Sequence, residues 1–341
     1  MSAQDRAHPN DFLYTHGLAT PDESVGWIAL TGGVSSEIWR VDLPGRSICI
    51  KRALQRLKVA GDWRAPTSRN TYEWKWLCFA AQHQPQAVPH PLAHDASNGL
   101  FAMSFLAPER FPVWKSQILK GNVVPSVASE VGGLVARLHA ASAARVELAR
   151  EFDSLENFRA LRLEPYFMAT AAQHPDLAGQ LQALSDRTAG KALALVHGDV
   201  SPKNILIGPE GPVLLDAECA WYGDPAFDVA FCLNHLLLKA FIRPDCLDAL
   251  STSFVRFTET YFAEAEFESR ESMEARVAGL LPALMLARID GKSPVEYLID
   301  KAPEQHALRR LARLLLKARV SRLTEVVDAW LLAISDLPTA K

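Results

Sequence analysis

Residues 194–216 read ALVHGDVSPKNILIGPEGPVLLD. Three apolar residues lead into a polar loop, 197–203. A strand-like run, 204–207, follows, then a Pro/Gly turn and a second strand-like run that ends at Asp216. The spacing predicts a hairpin whose return brings Asp216 beside Asn204. Asp199 and Asn204, five residues apart in such a loop, match what phosphoryl transfer requires. One carboxylate must take the proton of an acceptor hydroxyl, and a nearby carbonyl oxygen must hold magnesium. Asn204 and Asp216 on adjacent strand ends form a partial shell for Mg²⁺, to be completed by nucleotide phosphates and water.

Outward from this island the texture differs on its two sides. Before residue 108, short β-rich runs at 27–30, 38–43, 47–52 and 100–106 are separated by Thr31-Gly32-Gly33, Pro44-Gly45 and Ser97-Asn98-Gly99. That pattern predicts an antiparallel sheet of hairpins, interrupted by one helix near 69–82. After residue 108 the patterns are helical: 126–144, with Val127, Val131, Leu134, Val135 and Leu138 at helical spacing, then 157–185, 246–264, 272–288 and 305–335. The expectation is an α+β, two-lobed fold, with a β-rich lobe over 1–107 and a larger helical lobe over 108–341.

The composition is that of a globular protein: 341 residues, 49% hydrophobic, 22% charged, net charge −3. A weakly acidic chain has no global basic field to gather nucleic acid or an anionic membrane. The N-terminus lacks the apolar core of a signal peptide. The most apolar run, 227–241, carries Asp228, Asn234, His235 and Lys239 and so cannot span a bilayer. Five scattered cysteines, without a CxxC pair, read as buried thiols. The expected location is the cytoplasm; the oligomeric state is left open.

The Asp199-to-Asn204 spacing is that of the protein-kinase signature, but Gly198 replaces its Arg, and Asp216-Ala217-Glu218 replaces D-F-G. HGDxxxxN followed by a D-x-E element, and then Gly223-Asp224-Pro225-Ala226-Phe227-Asp228-Val229-Ala230, resembles the aminoglycoside phosphotransferase and choline kinase superfamily of small-molecule kinases. The resemblance implies a protein-kinase-like fold, ATP and Mg²⁺ as cofactors, and a small-molecule hydroxyl as acceptor. It also implies that Asp228 holds the catalytic loop, and His197 reads as propping that loop rather than as a general base. Glu218 stands between a supporting metal contact and a plain polar residue. Asp224-Pro225 reads first as the cap of a helix.

A phosphotransfer site needs a nucleotide lobe. Residues 30–41, LTGGVSSEIWRV, read as strand, Gly loop and strand, in which Gly33, Ser35 and Ser36 let backbone amides approach phosphate oxygens. Lys51 lies in the apolar run Ile48-Cys49-Ile50-Lys51, where an unpaired ammonium would be costly. Glu73 on the following helix is its candidate partner, and such a Lys–Glu pair positions the nucleotide phosphates in kinases. The rival reading of Glu73 is a solvated helix face shared with Arg69, Lys75 and Gln82. The resemblance places the adenine contact on backbone groups from Ser104 to Leu106.

Ser201 two residues after Asp199, the missing A-P-E and the lack of room for an activation loop argue against a protein kinase. Residues 54–70 and the Trp-Tyr-Gly context are similar to methylthioribose kinases, although this chain keeps Asn204 where those enzymes carry another residue. The expected acceptor is therefore sugar-like, an amino alcohol or aminoglycoside-type. Residues 288–297, RIDGKSPVEY, read either as a capped interhelical turn or as an acceptor contact through Arg288. The alternative function is a catalytically silent nucleotide-binding regulator.

Overall fold

The computed structural model describes residues 9–30, 35–54, 56 and 66–337. The chain divides into two compact units, Met1–Ala107 and Pro108–Lys341.

The N-terminal unit opens with a short helix, α1 (Asn10–Thr15), and continues through β1 (Gly26–Ala29), β2 (Ser36–Leu43), β3 (Arg46–Ala53), α2 (Arg69–His83), β4 (Pro91–Asp95) and β5 (Leu100–Ser104). The strands form one antiparallel sheet in the order β1-β2-β3-β5-β4. Strand periodicity sorts the side chains of β3. Ile48 and Ile50 join Trp39, Val41, Leu100 and Ala102 in an apolar cluster with Phe12 and Leu13. Cys49, Lys51 and Ala53, one residue out of phase, are also buried. The sequence reading missed β4, since PLAHD carries a leading proline and two polar residues and no clean alternation.

In the second unit α3 (Trp114–Leu119), α4 (Pro125–Ser142), α5 (Val146–Glu151) and α6 (Leu155–Phe158) precede a π-helix (Arg159–Met168), α7 (Ala169–Gln173) and α8 (Ala178–Ala189). Then come β6 (Ala194–Val196), the hairpin β7 (Ile205–Gly208) and β8 (Gly211–Leu214), β9 (Trp221–Gly223) and α9 (Ala226–Ala240). The unit closes with α10 (Leu247–Glu264), α11 (Arg270–Asp290), α12 (Ala302–Ala318) and α13 (Leu323–Ser335). The expected apolar stripe of α4 is buried, and Gly132 on the same helix sets how closely α10 approaches. A Cβ there would lie 2.4 Å from the Phe257 carbonyl oxygen. Every residue of α9 is buried, including Asp228, Asn234, His235 and Lys239. Among the described residues no helix is long and apolar enough to cross a membrane.

Three sequence expectations change. The single helix expected over 157–185 is broken, because Pro165 cannot donate the backbone hydrogen bond and the chain widens into a π-helix. The run expected over 305–335 is two helices, divided where Arg319 adopts a left-handed φ of 54°. Of the five cysteines, all unbridged, Cys78 and Cys246 are only half-buried.

Candidate active site

β6 delivers the chain to His197, and β9 pairs with β6 through Val196↔Trp221. The loop then turns at Gly198, whose φ of 76° lies in the left-handed region. A Cβ there would stand 2.6 Å from the Cys219 carbonyl oxygen. Both restrictions demand glycine, which explains why the position is not the arginine of protein kinases.

Asp228, fully buried in the first turn of α9, holds this loop by its backbone. One carboxylate oxygen accepts the His197 N–H and the other the Gly198 N–H, each at 2.7 Å. His139 of α4 approaches the same carboxylate at 3.2 Å and meets the Tyr261 hydroxyl of α10 through its other nitrogen at 3.0 Å. His197 is locked as well. Its Nδ1 accepts the Asp199 N–H at 3.1 Å, and Nε2 lies 3.1 Å from the Leu215 carbonyl oxygen. That arrangement is met by a neutral imidazole, and burial pushes its pKa down.

Asp199 is 1% exposed. Its Oδ2 meets the Arg162 guanidinium at 2.8 Å, the Lys203 ammonium at 3.2 Å and the Asn204 amide nitrogen at 2.8 Å. Among the described residues its Oδ1 has no hydrogen-bond partner. Burial acts to raise the carboxyl pKa, but the two cations outweigh it and leave Asp199 below the ordinary carboxylate range. Asn204 gives its amide group to Asp199, donating also to the backbone oxygen at 3.1 Å, so Oδ1 is the oxygen left to it. The β7–β8 hairpin pairs Ile205 with Leu214, and the Leu215 N–H donates to the Asn204 carbonyl at 2.9 Å. The next residue, Asp216, leaves in a left-handed conformation (φ 68°), unusual for a residue with a Cβ and most tolerable for Asp or Asn.

Arg162 was not foreseen. It projects from the π-helix, donates through Nε to the Gly198 carbonyl at 2.7 Å and stacks on the rings of Tyr166 and Phe231. The available signal was an arginine among Leu161, Leu163 and Phe167, a place where a cation must have a partner. Lys203 was passed over as loop polarity. Asp224 does more than cap. It accepts the Ala226 N–H at 3.0 Å and forms a buried pair with Arg276, whose other nitrogens hold Glu268. Glu218 is buried. Arg288 donates to the Tyr166 hydroxyl at 3.0 Å and to the Ser293 carbonyl and hydroxyl, the geometry of the capped turn.

In the N-terminal unit Lys51 Nζ lies 2.7 Å from Glu73 Oε1, and both side chains are buried. Arg69, which only the rival reading of Glu73 put on a solvated face, is fully buried. It donates to the carbonyls of Pro66, Ser35 and Leu54, bracing the start of β2 against the end of β3. Ser35 and Ser36 are buried beside that brace. Gly33 lies outside the described residues. Ser104 spends its N–H on the His90 carbonyl and its hydroxyl on the His90 N–H, each at 2.9 Å.

Residues 26–251 match the model of the phosphotransferase enzyme family. The methylthioribose kinase of Escherichia coli O45:K1 is 25% identical over 233 residues, 58% of this chain and 54% of that one. The methylthioribose kinase of Bacillus cereus strain B4264 is 24% identical over 280 residues, 73% and 70% of the two chains. The chain thus spans only about half the length of the first relative. Among solved structures, the amicoumacin kinase hAmiN in complex with AMP-PNP, Ca²⁺ and Ami superposes with a TM-score of 0.58 at 15% identity, over 94% of this chain and 97% of that one. That likeness shows the two-lobed kinase-like fold.

Proposed function

The chain belongs to the phosphotransferase enzyme family, and on that premise we propose that it transfers the γ-phosphoryl group of ATP to a hydroxyl of a small molecule, with Asp199 as the residue that receives the acceptor. The observation that carries this reading is the asymmetry of Asp199. One oxygen is pinned by Arg162, Lys203 and Asn204, and the other is buried without a partner among the described residues. A carboxylate so fixed presents one acceptor oxygen in a constant direction, which is what orienting a hydroxyl needs. Its lowered pKa makes it a weak proton acceptor, suited to a loose transition state in which the hydroxyl proton leaves late.

The residues also fit magnesium. Asn204 keeps one amide oxygen, Asp216 follows the strand end hydrogen-bonded to Asn204, and magnesium is content with two protein oxygens beside phosphates and water. Bound there, the ion would supply neutralisation of phosphate charge. Gly198, His197 and Asp228 keep the loop rigid by hydrogen bonds that involve no reacting atom.

The N-terminal unit supplies the nucleotide contacts. Lys51 binds phosphate oxygens, and Glu73 holds its ammonium in place. Ser35, whose carbonyl Arg69 holds, and the adjoining buried Ser36 lead out of the proposed phosphate loop. Because the Ser104 N–H is already committed to His90, Leu106 is the residue whose amide serves adenine. Similarity to methylthioribose kinases favours a sugar-like acceptor.

The test is ADP release from Mg·ATP against a panel of sugars, amino alcohols and aminoglycosides, followed by identification of the phosphorylated product. Asp199→Asn should lower turnover by about 10²–10⁴ while leaving AMP-PNP affinity within a few-fold. Undiminished turnover in that variant removes Asp199 from the role.

A further inference from the structure

The roles assigned so far leave a group of buried cations in the second unit unused. Lys239, near the end of α9, is 1% exposed and touches no carboxylate among the described residues. Its ammonium donates to the His235 carbonyl at 3.1 Å and lies 5.3 Å from the centre of the Tyr297 ring. Among the described residues Arg288, 7% exposed, bonds only neutral groups, the hydroxyls of Tyr166 and Ser293 and the Ser293 carbonyl, and its Nε has no partner. His235 Nε2 and the Tyr297 hydroxyl are likewise buried and unpartnered. Lys115 lies 5.9 Å from the same Tyr297 ring, and the acid adjoining the group, Glu296, is taken by Lys115.

This group adjoins Asp199 through shared aromatic rings. Arg162, which grips Asp199, stacks on Tyr166 at 5.7 Å, and Arg288 stacks on the same ring at 5.6 Å. Arg162 also covers Phe231, whose ring meets His235 edge-on at 5.3 Å. Two buried cations that no carboxylate bonds among the described residues, with the nearby Glu296 held by Lys115 and with unpartnered polar atoms beside them, are unfavourable until an anion joins them. Burial and the neighbouring Lys115 ammonium push the Lys239 pKa down to about 7, so an arriving anion would also restore its full charge.

We infer that Arg288 and Lys239, with the Tyr297 hydroxyl, form a subsite for a carboxylate or phosphate group carried by the acceptor. The inference rests on the kinase reading above, since it assumes that the acceptor's hydroxyl goes to Asp199. It narrows the acceptor to an anionic polyol or hydroxy acid, in contrast to a neutral sugar or a cationic amino alcohol.

A matched set of small alcohols tests this: glycerol, glycerate, glycerol 3-phosphate and choline, titrated calorimetrically into the full chain with Mg·AMP-PNP. Glycerate or glycerol 3-phosphate should bind at least tenfold more tightly than glycerol and choline, and which of the two leads distinguishes carboxylate from phosphate. Lys239→Met and Arg288→Lys should each erase most of that preference and leave AMP-PNP affinity unchanged. Tyr297→Phe removes a hydroxyl that has no partner, so the fold persists; it should cost the anions about three- to tenfold. No preference for anions, or one that survives all three substitutions, overturns the subsite. Phosphate transfer followed by ³¹P NMR separates the two readings. Transfer to glycerol or choline without charge preference keeps the kinase and sinks the subsite. Anion binding that depends on these residues, with no transfer to any alcohol, keeps the subsite and sinks the kinase.

Discussion

Replacing Lys239 by Met should make the protein more stable near neutral pH, and the size of the gain should depend on pH in a defined way. The ammonium is 1% exposed, faces Lys115 and Arg288, and titrates at about 7 in the folded chain against 10.5 for the free side chain. Below pH 7 the lysine is charged in both states, and the folded protein carries the whole burial penalty, on the order of 5 kcal/mol for a displacement of this size. Between pH 7 and 10.5 the unfolded chain holds the proton that the folded chain has released. Stability therefore rises with pH, by about 1.4 kcal/mol per pH unit from this one group. Met fills the same space without a charge and forfeits only the hydrogen bond to the His235 carbonyl, about 1 kcal/mol. Urea denaturation of wild type and Lys239→Met at half-unit steps from pH 6 to 10, without added anions, gives the difference directly and cancels every other titrating group. The variant should lead by several kcal/mol at pH 6.5, and the lead should shrink steadily towards pH 10. Parallel curves would refute the reasoning, because they would mean that Lys239 is charged and already compensated.

Asp228→Ala strands the buried His197 and Gly198 amides and the His139 ring. Stability should fall by about 3–5 kcal/mol, and turnover should collapse; urea denaturation and ADP release from Mg·ATP check the two. Arg276→Met leaves Asp224 and Glu268 facing each other without their shared cation, and a loss of about 3–5 kcal/mol is expected. Adding Asp224→Asn to that variant should recover part of the loss, because burial already drives the Asp224 carboxyl towards its neutral form.

The parts of the molecule that were legible in the sequence are those whose reason is local. Asp199, Asn204 and Asp216 could be read together because a hairpin converts their spacing into proximity, as the Ile205↔Leu214 register shows. Lys51 and Glu73 could be paired because a buried ammonium demands a carboxylate within reach. The loop's other constraints come from distant segments. Arg162 lies 37 positions before Asp199 and arrives on a helix of unusual pitch, and His139 and Tyr261 come from helices on either side of the island. Arg69 drew no role of its own from the sequence because its partners are backbone carbonyls, which leave no mark there. Strand β4 escaped for want of alternation.

The π-helical segment Arg159–Met168 carries a consequence for reading other chains of this kind. In an ordinary helix each residue turns the chain by 100°, and a π-helix turns it by less. Deleting one residue from these ten and letting the coil tighten would swing Arg162 round the axis and away from Gly198 and Asp199, with every chemically active residue still in its column of an alignment. The length of this stretch, rather than its letters, is then the quantity to compare: a chain one residue shorter here should lack the guanidinium clamp, however well its HGD motif is preserved.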